Sequence, residues 1–574
     1  MYLKFKVKIP DIKSKVFLNT IRGVVYVNYE YDRVYKPEKK YNIPKRTTIG
    51  KICEDDTEMM YPNTNYLKFF PDAGLPMKTG HTERSSCLRI GAFLIIRKVI
   101  KDYKLDDMIS RIIGKDSGLF LDLVAYTIIT ENNAGQYYPD YAYNHPLFTK
   151  NMRVYSDAKV SEFFSEITYD QSAAFLNEWN GSRDHKERIY ISYDSTNKTC
   201  QAGEIEIAEF GRPKDGQTKP VFNYSIAYDK GNREPLFYEE YLGSIVDVSQ
   251  LQYMLEKAKG YGYKKAGFIL DRGYFSKENI QFMDKCGYDF VIMVKGMKPL
   301  VSALILENKG AFEESRAHSI RGYGVSGMTV KKGLFPSDEE ERYFHIYYSS
   351  RKYTYEREAV EAKIDRMAKH LEKQESKPVK IEKSLGQYFD LIYYHEGQKD
   401  EKFMFGKERN DVVEQEIRLC GYFVIITSMK MTAKEALALY KGRDGSEKLF
   451  RGDKSYLGNR SLRVQSDESF GAKVFVEFVA LIVRNKIYTY LKDIIAENEV
   501  RPNYMTVPAA LKELEKIEMI RQPDNIYRLD HAVTSVQKSI LKAFGLNAAH
   551  INEKAKEISE HLAEIWQNKP TQKN

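Results

Sequence analysis

The stretch Thr432 to Lys454 reads TAKEALALYKGRDGSEKLFRGDK and holds the residues with the clearest chemical potential. Tyr440, Arg443, Glu447 and Lys454 lie at offsets of 0, 3, 7 and 14. At about 100° per residue they fall within a helical stripe of about 60°, so one aromatic, one carboxylate and two cations share a face. Thr432 and Glu435 have the spacing of a capping box, which predicts a helix start. A solvated face with an Arg–Glu pair four residues apart looks the same, so the stripe carries chemistry only if other segments supply partners. Gly442, Gly445 and Gly452 weaken the helix, and the expected bend or end is near Gly452, with Lys454 in the turn beyond.

Two aspartates are the candidate partners. Asp194 ends the alternating run RIYISYD, and Asp271 ends AGFILD, so each is expected at the C-terminal end of a strand, where ligands commonly bind. Taken singly, DSTN after Asp194 and DRG after Asp271 are also ordinary turn sequences. Together with Glu447 they suit two divalent ions about 4 Å apart, which activate an attacking oxygen and stabilise the leaving oxygen of an in-line phosphoryl displacement. Mg²⁺ prefers hard oxygen ligands and keeps several waters, so three carboxylates suffice. Tyr440, Arg443 and Lys454 would then hold phosphates beside the metal, Arg by its fork and Lys as a point charge. HExxH, GxxxxGK[ST] and GxSxG patterns are absent, which argues against zinc-protease, P-loop and serine-hydrolase chemistry.

The elements that must position these residues follow from patterning. The order is three strands (RIYISYD, VFNYSIAYD and PLFYEEYLG, the last two a hairpin across KGNRE), a helix (SQLQYMLEKAKG), a strand (AGFILD), a helix capped by Ser276 and a strand (YDFVIMVK). Such an order predicts a mixed sheet covered by helices. After Lys295 the pattern is lost for over a hundred residues, an interruption too long for a loop. The predicted domains are a small basic β module at 1–75; a helical domain at 76–185, where Ser156 or Asp157 starts a helix; the sheet in two parts, 186–295 and 421–495; an inserted β-rich subdomain at 296–420; and a helical C-terminal region at 496–574, a candidate for dimerisation. SFGAKVFVEFVALIVRNKIYTYL is expected to be a buried helix returning to the sheet.

With 574 residues and 43% hydrophobic content, several domains with real cores are expected. Lys and Arg number 89 against 80 Asp and Glu, a net charge of +9, which suits a polyanionic partner without requiring one. The five cysteines are scattered, with no CxxC pair, pointing to a reducing cytoplasm. VFVEFVALIV is too short to span a bilayer, and no membrane partner is expected.

Taken together these residues resemble the DDE insertion-sequence transposases with a ribonuclease-H-like catalytic domain, in the group marked Y-x2-R-x3-E-x6-K. Tyr440, Arg443, Glu447 and Lys454 keep every spacing, and Asp194 in YISYDSTN and Asp271 in FILDRGYF match the two aspartate motifs. The resemblance implies an α/β fold, a ribonuclease-H-like mixed sheet with flanking helices and a β-rich insertion. It implies Asp194, Asp271 and Glu447 as catalytic metal ligands for two Mg²⁺ ions, with Mn²⁺ able to substitute. Tyr440, Arg443, Lys454 and Arg272 are the DNA-binding residues on this reading. The partners implied are double-stranded DNA, both terminal inverted repeats and target, and a second copy in a homodimeric synaptic complex in the bacterial cytoplasm. Cut-and-paste transposition with a hairpin intermediate usually places a flipped base on a tryptophan of the insertion. No tryptophan lies between Asp271 and Glu447, so Tyr347, Tyr348 or Tyr353 substitutes, or the hairpin step differs. The alternatives are a related nuclease that cuts without joining and a non-catalytic DNA-binding derivative.

Overall fold

The structure is a computed structural model. It describes residues 2–567, apart from 39, 74–83, 184–187, 201–204, 211–218, 246, 336–340, 399, 459, 465 and 499–501. The chain forms two compact units, one of Leu176–Arg451 and one of Met1–Phe175 with Gly452–Asn574.

The Leu176–Arg451 unit is built on a mixed sheet. Its elements are labelled here in chain order: β1 (Ile189–Cys200), β2 (Val221–Asp229), β3 (Glu234–Leu242), α1 (Asp247–Gly260), β4 (Ala266–Leu270), α2 (Lys277–Cys286) and β5 (Asp289–Met293). These are the strands and helices expected from the sequence, in the expected order. The hairpin β2–β3 pairs antiparallel to β1, whereas β4 and β5 run parallel to it, so the strands lie 3-2-1-4-5. This is the ribonuclease-H-like order. Short apolar runs such as Ala266–Leu270, buried along their whole length, are what a sheet covered on both faces requires. Ser276 caps α2 by accepting from the Asn279 N–H at 3.2 Å.

The next stretch does not leave the sheet. After α3 (Lys298–Asn308) come β6 (Ser319–Ile320), β7 (Val325–Gly333) and β8 (Glu341–Tyr348), which extend the same sheet antiparallel beyond β5. A separate hydrophobic cluster forms where α4 (Ser350–Glu372) packs on the hairpin β9 (Phe389–Tyr394) and β10 (Lys402–Glu408), closed by Val413 of α5 (Asn410–Leu419). The strand β11 (Tyr422–Thr427) then inserts between β8 and β5, antiparallel to both. That placement was not legible locally, because each strand's alternation is equally compatible with a detached β module. Inside this extension His345 is fully buried between Thr329 (2.9 Å) and Thr427 (3.0 Å), and burial pushes its pKa down to about 4, so it stays neutral.

The other unit carries a five-stranded antiparallel sheet from residues 7–62, with Val7, Val27, Ile49, Met60 and Tyr66 as its core. Its helices include Gly91–Asp102, Ser117–Thr130 and Asp157–Glu166, the last capped by Ser156, which accepts from the Lys159 N–H. The helix expected to return to the catalytic sheet, Asp467–Asn498, instead belongs here and packs against these three. The physical reason is its run Val474–Val483, buried on every side, which needs helices around it rather than one sheet face. In the same unit Asp122 is fully buried, accepting from the backbone N–H groups of Phe148 (2.6 Å) and Thr149 (3.2 Å). Burial lifts its pKa to about 7 although those bonds pull it down. Among the described residues no helix is long and apolar enough to cross a membrane.

Candidate active site

Asp194 is not at a strand end. β1 continues through Cys200, because DSTN pairs antiparallel with β2 (Asp194 opposite Ile226) instead of turning. What ends there is β4, whose parallel register with β1 runs from Ala266 beside Ile189 to Leu270 beside Tyr193. The next step of that register sets Asp271 beside Asp194. The two carboxylates therefore come from adjacent strands at matching height. Each has one oxygen fixed locally: Asp194 Oδ1 accepts from the Ser195 N–H at 2.9 Å, and Asp271 Oδ1 from the Arg272 N–H at 2.7 Å.

The third carboxylate arrives on a broken helix. Thr432 and Glu435 form the expected capping box at the start of α6 (Ala433–Lys441), whose Ala433, Leu437 and Tyr440 pack on Val291, Tyr347 and Ile425 of the sheet. These apolar residues recur every three to four positions, which keeps Tyr440 on the inner face. The break falls at Gly442, ahead of α7 (Asp444–Tyr456), and not at Gly452. A Cβ on Gly442 would lie 2.2 Å from Lys230 Cε, and one on Gly445 2.9 Å from the Tyr228 ring, so both glycines let the chain approach the β2 end of the sheet. Lys230 Nζ donates to the Ala438 carbonyl at 3.2 Å, holding that approach. Gly452 sits inside α7, where a Cβ would meet Arg484 Nη1 at 2.6 Å. It serves close packing rather than a bend, and Lys454 lies in the last helical turn.

A buried hydroxyl pair sets the register of α7 on the sheet. Ser192 Oγ and Ser446 Oγ are 2.9 Å apart and both fully buried, and Ser446 also donates to the Arg443 carbonyl at 2.8 Å. Ser192 and Asp194 are two residues apart on β1 and so point to the same face. Glu447, next to Ser446, is tied to Asp271 through Arg443. Sequence reasoning missed the serine pair; its only trace is a serine at an inward position of RIYISYD.

Arg443 is the hub of the arrangement. Its Nη1 lies 2.5 Å from Asp271 Oδ1, its Nη2 lies 2.8 Å from Glu447 Oε1, and its guanidinium stands 5.3 Å from the Tyr440 ring centre. The Tyr440 hydroxyl is 3.4 Å from Asp271 Oδ1, at the long limit of hydrogen bonding. Burial opposes the charge on Arg443, but Tyr440, Asp271 and Asp194 outweigh it and raise its pKa. Burial, with Asp271 reinforcing it and Arg443 opposing it, pushes Tyr440 up to about 12. The phenol stays neutral and the guanidinium charged. The sequence assigned Arg443 to phosphates; in this state it neutralises two carboxylates. Arg272 is exposed beside Asp271, and Lys454 is half-buried seven residues past Glu447.

Of the three aromatics considered for base stacking, Tyr347 is fully buried. It stacks on Phe423 at 4.8 Å and donates its hydroxyl to the Ala433 carbonyl at 2.7 Å, so it has no free face. Tyr348 and Tyr353 are half-buried and lie 6.4 Å apart.

Among the described residues no three Asp, Glu, His or Cys side chains stand close enough to form a ready-made metal-binding group. The donor chemistry still fits a divalent cation. Asp194, Asp271 and Glu447 offer hard oxygens, and the position between Asp271 and Glu447 already holds a positive group, the Arg443 fork.

The 3-2-1-4-5 order, with an aspartate on the first strand, one just past the fourth and a glutamate on the helix that follows the sheet, is that of a ribonuclease-H-like domain. Residues 187–483, just over half of the chain, match the model of the transposase DDE domain, and the chain belongs to that family. Among solved structures it is similar to a piggyBac transposase, seen by cryo-EM as a synaptic complex with hairpin DNA, at 9% identity and a TM-score of 0.32. That match covers 73% of this chain and 65% of the other, so the chain spans just under two thirds of that protein's length. No curated protein matches the sequence.

Proposed function

We propose that this protein is a DNA transposase that cleaves phosphodiester bonds at the ends of its element and joins the freed 3′-hydroxyl to target DNA by cut-and-paste. The observation that carries the reading is the Arg443 fork, which joins Asp271 to Glu447, with Asp194 on the strand that runs parallel beside β4. Membership of the transposase DDE domain family supports it.

Asp194, Asp271 and Glu447 would hold the divalent ions, Mg²⁺ by their hard-oxygen character, with Mn²⁺ as a substitute. Such ions, when bound, supply Lewis-acid activation of the attacking oxygen and charge stabilisation on the leaving one. The chain's own residues do the rest. Tyr440, held in the core of α6, steadies Asp271 through its hydroxyl. Arg443 screens the mutual repulsion of the carboxylates until substrate arrives, and its fork then suits a phosphate as well as it suits a carboxylate. Arg272 and Lys454 add positive charge for the DNA backbone, and the pair Ser192–Ser446 holds the start of α7 against β1.

The test is a duplex carrying the terminal sequence that flanks the protein's own reading frame, incubated with the full chain and Mg²⁺. Expected is a nick leaving a 3′-hydroxyl, followed by joined product when target DNA is added. Asp194→Asn, Asp271→Asn and Glu447→Gln should each abolish nicking. Intact nicking in these variants refutes the site; nicking without joining in the wild type would assign a nuclease instead.

A further inference from the structure

A cleft of about 570 Å³ opens between β6–β7 and the start of α6, wholly within the Leu176–Arg451 unit. Its lining holds Lys331, Lys430, Lys434 and His318 and no carboxylate, while Met328 and Met431 give it an apolar floor. Lys430 and Lys434 are exposed, and among the described residues neither has an ion-pair partner. On the far wall Lys331 lies 3.2 Å from Glu341, a pair open to solvent on both sides. The nearest acid on α6, Glu435, is turned back into the capping box, accepting from the N–H and hydroxyl of Thr432 at 2.8 Å. The capping box engages the Thr432 and Glu435 N–H groups, and the charge that an anion in the cleft would meet is that of the lysines.

The positive charge continues along the helix. Lys441 lies seven residues after Lys434, which on an α-helix is about 20° of rotation and about 10 Å of rise. It is exposed and has no ion-pair partner among the described residues. Two residues later Arg443 sits on Asp271 and Glu447. From Lys434 to Arg443 is nine residues, about 13 Å of helical rise, and since backbone phosphates of one strand of a duplex recur about every 3.4 Å along its axis this corresponds to about four nucleotides.

We propose that this cleft is a phosphate-binding subsite for the substrate strand, holding the sugar–phosphate backbone about four nucleotides from the bond cleaved beside Asp271 and Glu447. The lysines neutralise the phosphate and the methionine floor accepts the sugar. Element end and target DNA share this chemistry; the proposal commits the cleft to the element's end, and the unrelated-duplex arm of the test below separates the two. The inference rests on the transposase reading above.

The test uses the full chain, with Lys430→Gln and Lys434→Gln combined. Both side chains are exposed, so the fold should be retained, which a melting curve checks. Binding of the fluorescein-labelled end duplex is followed by anisotropy across a salt series in EDTA. Each lost lysine–phosphate contact lowers the slope of log K against log salt by about one, so the double variant should lose about two. A methylphosphonate about four nucleotides from the cleaved bond should weaken the wild type several-fold and leave the double variant unchanged. An unaltered slope, or equal sensitivity of both proteins to the methylphosphonate, overturns the subsite. An effect seen only with an unrelated duplex overturns the assignment to the element's end. Metal-dependent nicking by the wild type is read separately: its absence with a normal slope change refutes the catalytic proposal alone, and a chain that binds no duplex refutes both.

Discussion

Replacing Arg443 with alanine should tighten the binding of a divalent ion in the absence of DNA, although it damages the enzyme. Asp271 and Glu447 now share a guanidinium at 2.5 and 2.8 Å, and a metal entering between them must displace it. The size of that competition follows from exposure. The Arg443 side chain is 18% exposed, but Asp271 and Glu447 are 39% and 51% exposed, so solvent screens both pairs. Pairs of this kind contribute about 0.2–1 kcal/mol each, giving about 1 kcal/mol in all. Since about 1.4 kcal/mol is tenfold in affinity, Arg443→Ala should bind Mn²⁺ about fivefold more tightly. Isothermal titration of the full chain with MnCl₂ measures this directly. Arg443→Lys, whose single ammonium reaches one carboxylate at a time, should fall between the two. With DNA present the same alanine variant should nick slowly, because the fork for the phosphate is gone. Unchanged or weaker Mn²⁺ binding in Arg443→Ala would show that the arginine organises the carboxylates rather than occupying their cation position, and the competition argument would fail.

Ser192→Ala should leave Ser446 without its partner from β1, destabilising by about 1 kcal/mol and lowering nicking while DNA affinity stays unchanged; denaturant unfolding and single-turnover cleavage separate the two effects. Gly91→Ala would set a Cβ 2.3 Å from the Leu514 carbonyl oxygen, so main chain must move, and a loss of about 1–3 kcal/mol should appear as a lower Tm. Asp122 gives a pH dependence. Its folded pKa, about 7, lies above the unfolded value of about 3.9, so the folded state binds the extra proton and stability falls as pH rises between the two. Asp122→Asn should lose that part of the fall, read as a smaller change in Tm between pH 4 and pH 7 than in the wild type. Tyr347→Phe should cost about 1 kcal/mol through the lost bond to the Ala433 carbonyl and leave any end-processing step intact, since the ring is sealed in the core.

The sequence alone determined the local elements and the chemical inventory. Alternation and capping located β1 to β5, α2 and the start of α6, because side-chain periodicity and cap hydrogen bonds are local properties. The spacing of Tyr440, Arg443 and Glu447 put an aromatic, a cation and a carboxylate on one face, and a single break at Gly442 left that juxtaposition standing. Tertiary structure decided what those residues face. Whether DSTN turns or continues as strand depends on β2 lying alongside, and a turn-forming sequence yields when its backbone groups find a ladder. The chain breaks at Gly442, whereas Gly445 and Gly452 lie inside α7, packed close against Tyr228 and Arg484. Only the folded sheet set β6 to β8 beyond β11 and so made the lysine cleft, and only the packing of α7 against β1 buried Ser192 on Ser446. These depend on contacts between residues tens to hundreds of positions apart, and pairwise register of that range leaves no periodic trace in a single sequence.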